Sequence, residues 1–209
     1  MTETIDYFIS LPWLELTGML LALLYVVLAA KGSIWCWPAA FISTIIYTII
    51  FYDVYLWMES LLQVYYMIMA VYGWYCWQKQ QEQVNEHPQS QLVSGITQWS
   101  LNSHLKIIVM LAFISVGVGW FMANYTPAHF PYFDAATTVY AVFATYLVAK
   151  KVLENWLYWL VIDFASIYLY VQKDLTPTAV LFALYVVLAL YGYIQWQKAY
   201  KLQGQSQAI

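Results

Sequence analysis

The sequence predicts an all-α polytopic membrane protein: seven transmembrane helices set out as two parallel three-helix repeats joined by a linker helix, a 3+1+3 plan. Three observations predict it. Apolar residues make up 63% of the 209-residue chain and charged residues 9%, where a soluble domain carries about 25% charged residues. One core cannot hide that much apolar surface, so lipid must solvate the rest. Seven apolar stretches come close to or exceed the about 17 residues needed to cross a bilayer. Residues 13–79 also reappear, weakly, as residues 132–198, at a constant offset of 119 with no gap.

The elements follow in order. The first span, 13–30, stops at Lys31-Gly32-Ser33. The second, 34–51, has Pro38 in its first turn, where a missing N–H is tolerated, and ends at Tyr52-Asp53. The third covers 56–78. Residues 79–103 are polar and Gln-rich, contain Pro88, and form the longest non-membrane segment. The fourth span, 105–123, is closed by Asn124 to Pro131. The fifth, 134–149, ends at Lys150-Lys151, the sixth, 154–171, at Lys173-Asp174, and the seventh covers 177–197. The expected domains are a first repeat at 13–79, a polar cytoplasmic loop plus linker helix at 80–131, a second repeat at 132–198 and a cytoplasmic tail at 199–209.

In the repeat, Trp37 falls on Trp156, Tyr66 on Tyr185, Tyr72 on Tyr191, Gly73 on Gly192, Trp77 on Trp196, Glu15 on Asp134 and Lys31 on Lys150. Three spans reverse the side of the chain and a fourth restores it. The second copy therefore enters from the same face as the first, which is the parallel, SWEET-like pattern. Two like units in one membrane build a pathway at their interface, so movement of a solute is expected rather than its conversion. Lysine sets the orientation. The chain has no arginine, and in this plan Lys31, Lys79, Lys106, Lys150, Lys151, Lys198 and Lys201 share one side while Lys173 lies on the other. Positive charge marks the cytoplasm, placing the N-terminus outside and the C-terminus inside a bacterial inner (plasma) membrane.

Several classes are not indicated. The N-terminus M-T-E-T-I-D-Y lacks the basic region of a signal peptide. Neither a G-x-x-x-x-G-K-[ST] loop nor a G-x-G-x-x-G turn is present, so no nucleotide cofactor is expected. No His/Cys run has metal-ligand spacing, and no nucleophile–base pair is evident, so catalysis is not indicated. Cys36 and Cys76 read as small buried hydrophobes on the cytoplasmic side. No nucleic-acid partner is expected, and self-association into a homo-oligomer is left open.

Asp163 is the most conspicuous ionisable residue, near the middle of the sixth span. A charge at that depth costs about 2.5–3.5 kcal/mol on insertion scales, so it should face the bundle interior. It reads either as a protonated structural hydrogen-bonding group or as a counter-charge for a cationic solute. Trp156, Trp159, Asp163, Ser166 and Tyr170 step by three, four, three and four onto one helix face. The two tryptophans also suit a packing seam or headgroup anchors. The counterparts in the first copy are Trp37, Ala40, Thr44, Tyr47 and Phe51, with Ser43 adding a hydroxyl. In the third span Glu59, Gln63 and Tyr66 share a face; Gln63 is costly in lipid unless paired, and Glu59 lies near the outer end. Aromatic walls with hydroxyls and a carboxylate suit a small aromatic cation, attracted by about 2 kcal/mol or more when desolvated. The candidate binding set is Trp37, Ser43, Tyr47, Glu59, Gln63, Tyr66, Asn155, Trp156, Trp159, Asp163, Ser166 and Tyr185, with no catalytic or metal-binding residue.

Three stretches carry a family resemblance: L-Q-V-Y-Y-M-I-M-A-V-Y-G-W-Y-C-W at 62–77, E-N-W-L-Y-W-L-V-I-D at 154–163, and Y-x-x-x-x-x-Y-G-Y-x-x-W at 185–196. They resemble the PnuC family of vitamin transporters over nearly the whole chain. The resemblance implies facilitated, bidirectional diffusion of an unphosphorylated B vitamin, trapped by a separate cytoplasmic kinase. Nicotinamide riboside carriers of that family typically show a second span resembling N-Y-x-x-G-x-x-N. This chain has W-C-W-P-A-A-F-I-S-T-I-I-Y at 35–47, which is more similar to the thiamine branch, PnuT. Thiamine is therefore the expected substrate, with nicotinamide riboside as the alternative and riboflavin third. A substrate-binding membrane subunit of a larger transporter is the alternative of another class.

Overall fold

The computed structural model describes residues 2–53, 57–86, 95–127, 130–172 and 176–206, and the named elements among them are all helices. They are α1 (Thr2–Ala30), α2 (Cys36–Asp53), α3 (Trp57–Glu86), α4 (Leu101–Tyr125), α5 (Pro131–Ala149), α6 (Asn155–Gln172) and α7 (Thr176–Ser206). Each of the seven expected spans is a helix. Pro88, the Lys173-Asp174 turn and the last three residues of the tail lie outside the described residues.

The ends differ from the apolar stretches in an instructive way. α1 begins at Thr2, before the expected 13; α3 runs to Glu86, through the start of the polar segment; and α7 runs to Ser206, through most of the expected tail. Hydropathy marks where lipid would end, whereas a helix continues as long as its residues favour it, and Gln, Glu and Lys do. The extension of α3 carries side-chain bonds at i,i+4 spacing: Trp74 Nε1 donates to Gln78 Oε1 at 3.1 Å, and Gln78 Nε2 to Glu82 Oε1 at 3.2 Å. Among the described residues, four stretches are long and apolar enough to cross a membrane: Trp13–Ala30, Cys36–Asp53, Leu101–Tyr125 and Ala179–Gln203. The other three helices, α3, α5 and α6, carry Glu59 and Gln63, Asp134 and Thr145, and Asn155 and Asp163. Polar side chains lower their hydropathy, and of these Thr145, Asn155 and Asp163 are buried.

The chain divides into two compact units, residues 1–90 and 91–209. In the first, α2 is the central helix, packed on α1 and on α3. Ser43 Oγ donates to Gly18 O at 2.8 Å across the α1–α2 contact, and Ser60 Oγ donates to Thr48 O at 3.0 Å across the α2–α3 contact. In the second, α5, α6 and α7 pack in the same sequence, and α4 lies along α5. The linker helix is thus part of the second unit. It buries one face, His104, Leu111, Ser115 and Gly119, and leaves Val109, Phe113, Val116 and Trp120 exposed, as a lipid-facing helix would.

The repeat is legible bond by bond. In the first unit Lys31, Gly32 and Ser33 N–H groups donate to Val27, Ala29 and Leu28 carbonyls. In the second, Lys150, Lys151 and Val152 donate to Tyr146, Val148 and Leu147. Both are Schellman caps, which require a left-handed residue after the helix end. The first copy places Gly32 there at φ +68°, whereas the second places Lys151 there at φ +51°. A residue with a Cβ pays roughly 1–2 kcal/mol in that conformation, a cost that the first turn avoids with glycine.

Candidate functional site

Each unit is built around the same tryptophan lock. Trp37 on α2 and Trp77 on α3 meet edge-to-face at 5.4 Å and 84°; Trp156 on α6 and Trp196 on α7 meet at 5.5 Å and 89°. All four are almost fully buried. The indoles of Trp37 and Trp156 fill notches left by glycine. A Cβ at Gly73 would lie 2.2 Å from Trp37 Cζ2, and one at Gly192 2.6 Å from Trp156 Cζ2. Trp37 Nε1 and Trp156 Nε1 are both buried without a hydrogen-bond partner. Their packing role is therefore plain, and at most the N–H edge is left for a ligand.

In the first unit, Ser43 is buried and its hydroxyl proton is taken by Gly18 O. Tyr47 is half-buried, stacked on Phe51 at 5.6 Å. Gln63 and Tyr66 are half-buried, with Tyr66 edge-on to Tyr65 at 5.5 Å. Glu59 is exposed. The expected stripe of α2 is only partly inward: Trp37 and Thr44 are buried but Ala40, Tyr47 and Phe51 are half-buried, because the face packed between α1 and α3 centres on Cys36, Ala39, Ser43, Ile46 and Ile50.

In the second unit, the predicted face of α6 also points inward. Asn155, Trp156, Asp163 and Ser166 are buried and Trp159 half-buried, whereas Val161, Phe164 and Tyr168 are exposed. The stripe is shared between two neighbours. Trp156 turns to α7, and Trp159 packs against the cluster of Ala141, Ala144 and Ile162 with Tyr140 and Tyr158. Tyr185 on α7 is half-buried and stands edge-on to Phe182, which stacks on Tyr170. Asn155 Nδ2 donates to Val152 O at 2.6 Å, and its Oδ1 is buried without a partner.

Asp163 is 3% exposed at mid-helix. No hydrogen bond or ion pair to its carboxylate is found among the described residues. A buried acid left alone is costly, so a group that supplies a proton, a hydrogen bond or a positive charge is stabilised beside it. The corresponding residue in the first unit, Thr44, satisfies itself by donating to Phe41 O at 2.9 Å. The carboxylate is thus a feature of the second unit alone. Among the described residues no group of three or more His, Cys, Asp or Glu side chains could hold a metal ion.

One cluster was not expected from sequence. His104 on α4 shares a hydrogen bond with Tyr158 Oη (Nδ1 to Oη 3.0 Å), and its Nε2 lies 3.6 Å from Glu154 Oε2. Trp99 stands at 5.9 Å from the His104 ring and donates its backbone N–H to Glu154 Oε2 at 3.4 Å. The partners on the two sides of this cluster, 99–104 and 154–158, are 50 or more residues apart in sequence, so no local period reveals them. The E-N-W-L-Y-W stretch contained two of them, but nothing in it named the partner.

The chain was compared with known proteins. A family model described as nicotinamide mononucleotide transporter matches residues 12–198. The nicotinamide riboside transporter PnuC of Escherichia coli (strain K12) is 24% identical over 213 residues, covering 93% of this chain and 89% of the relative. The riboflavin/roseoflavin transporter RibM of Streptomyces davaonensis is 24% identical over 184 residues, covering 88% and 84%. Among solved structures, the crystal structure of the vitamin B3 transporter PnuC matches with a TM-score of 0.73 at 19% identity, covering 96% of this chain and 87% of that one. At that identity the likeness speaks for the fold.

Proposed function

The chain belongs to the nicotinamide mononucleotide transporter family, and from that premise we propose that this membrane transporter is a facilitative carrier for an unphosphorylated B vitamin with a positively charged aromatic ring. The observation that carries the proposal is Asp163, a buried carboxylate without a partner on an aromatic face of α6. A quaternary aromatic nitrogen meets both features at once: the charge pairs with the carboxylate and the ring stacks on indole or phenol. Tyr47, Gln63, Tyr66, Trp159, Ser166 and Tyr185 are further candidates for binding. Asn155, Trp37 and Trp156 offer one polar atom each, and Ser43 offers its oxygen as an acceptor. Glu59 lies at the outer end of α3 and is the alternative charge partner.

Thiamine and nicotinamide riboside both fit this chemistry. The second helix, W-C-W-P-A-A-F-I-S-T-I-I-Y, favours thiamine, and the name of the Escherichia coli relative favours nicotinamide riboside at least as strongly. Riboflavin, named for the Streptomyces relative, has a neutral ring and serves as the control. The rest of the proposal is a 3+1+3 arrangement of seven spans with the N-terminus outside and the C-terminus in the cytoplasm of a bacterial inner membrane. A cytoplasmic kinase would trap the product.

Calorimetry on the purified protein with the three vitamins is the test. The expected result is binding of thiamine or nicotinamide riboside, weakened in Asp163→Asn. Binding of riboflavin alone, undiminished in Asp163→Asn, would overturn the charge argument. Uptake into liposomes holding this protein alone separates a carrier from a binding subunit of a larger transporter.

A further inference from the structure

The polar stretch that follows the first unit ends in a short extended segment laid against the turn between α5 and α6. Thr97 N–H donates to Lys151 O at 3.0 Å, and Leu153 N–H donates to Thr97 O at 2.9 Å, a parallel bridge pairing Thr97 with Val152. Ile96, Val152 and Leu153 are buried in the contact. Two and seven residues later, at Trp99 and His104, the chain makes further ties to the same place. His104 reaches Tyr158, and the Trp99 backbone reaches Glu154. Phe143 on α5 closes the cluster, 6.4 Å from the Trp99 ring and 5.6 Å from the Tyr158 ring.

These ties end on residues 151–158, the entry turn of α6. Between them lie Asn155 and Trp156, and about two turns beyond Trp156 is Asp163. Lys151 holds a left-handed conformation that glycine holds in the first unit. The matching turn of the first unit has the same internal hydrogen bonds, with glycine at the left-handed position.

We propose that Gly95–His104 is a positioning element for α6. It fixes the register and entry angle of the helix that carries Asp163, with His104 acting through Tyr158, and it stays closed throughout transport. The inference rests on α6 carrying the substrate site.

Two measurements test it. In a Cys36→Ala, Cys76→Ala background, the pair Thr97→Cys and Val152→Cys falls within disulfide reach, because bridged strands lie about 4.8 Å apart. Oxidised protein in liposomes should take up the bound vitamin at the rate of reduced protein. Loss of uptake on oxidation that a reductant restores shows a contact that must open, and overturns the proposal. Secondly, the affinity of the folded, monodisperse fraction is measured by calorimetry with thiamine, nicotinamide riboside and riboflavin in turn. Tyr158→Phe and His104→Ala should each weaken binding about fivefold, the loss of one hydrogen bond. The double variant should be no worse than the weaker single. His104→Asn, which keeps a polar atom near the Nδ1 position, should recover most of the affinity. Tyr158→Phe removes only a hydroxyl and keeps the test open if His104→Ala does not fold. Unchanged affinity in folded Tyr158→Phe overturns the inference alone, whereas wild-type protein that binds none of the vitamins overturns the carrier reading and the inference together.

Discussion

Asp163 and the tryptophans beside it divide the work of one helix face. If the carboxylate balances a substrate cation, Asp163→Asn should fold normally, since the shape is kept and a buried charge is removed. Its affinity for the cationic vitamin should fall, and affinity for a neutral analogue of the same shape should fall much less; equal losses would make Asp163 a structural residue and point to Glu59. Trp156 and Trp159 share a face, yet their surroundings separate their expected behaviour. Trp159→Leu should weaken binding by about 1–2 kcal/mol through lost cation–π contact, with little change in thermal stability. Trp156 fills the notch at Gly192, so Trp156→Ala should lower stability by about 3–5 kcal/mol, the usual cost of emptying a buried indole site. A melting curve for each variant, read beside its Kd, checks the split.

Helices meet in this protein where glycine lets tryptophan in. Gly73→Ala and Gly192→Ala would each drive a methyl into an indole ring, and overpacking of this kind costs about 1–3 kcal/mol. Both variants should lose thermal stability by similar amounts, because the two locks are copies; loss in one alone would show that the units tolerate strain differently. The turns give the opposite sign. Gly32→Ala should destabilise by roughly 1 kcal/mol, since it puts a Cβ at φ +68°. Lys151→Gly should be neutral to slightly stabilising, because it relieves that same strain and this gain is offset in part by the greater freedom of the unfolded chain. A rise in stability on Gly32→Ala would refute the left-handed cap.

At the scale of the whole molecule, membership in a transporter family and a seven-helix fold are joined by a charge asymmetry. Seven of the eight lysines lie on one side of the proposed topology. A cysteine placed at Gln205, with Cys36 and Cys76 replaced by alanine, should react in intact cells only with a membrane-permeant reagent. Reaction with an impermeant one would refute the inside C-terminus and the parallel order of the repeats that depends on it.

The sequence alone determined a good deal. Apolar stretches predicted that a helix stands at each of the seven positions, though among the described residues only four of these are long and apolar enough by themselves to cross a membrane. The offset of 119 is matched by the two helix caps and the two tryptophan pairs, and helical spacing picked the buried face of α6, whereas on α2 the buried row of Cys36, Ala39, Ser43, Ile46 and Ile50 lies beside the expected stripe. The tertiary structure decided what spacing cannot encode. Trp156 and Trp159 share a stripe in sequence, but the glycine notch on α7 takes one and the α5 cluster the other, since a side chain's role depends on the shape facing it. The ties from Thr97 and His104 to the α6 turn join residues 50 or more positions apart, a pairing no local period reports. The cap at Lys151 is local, but the pairing of Thr97 with that same turn is not.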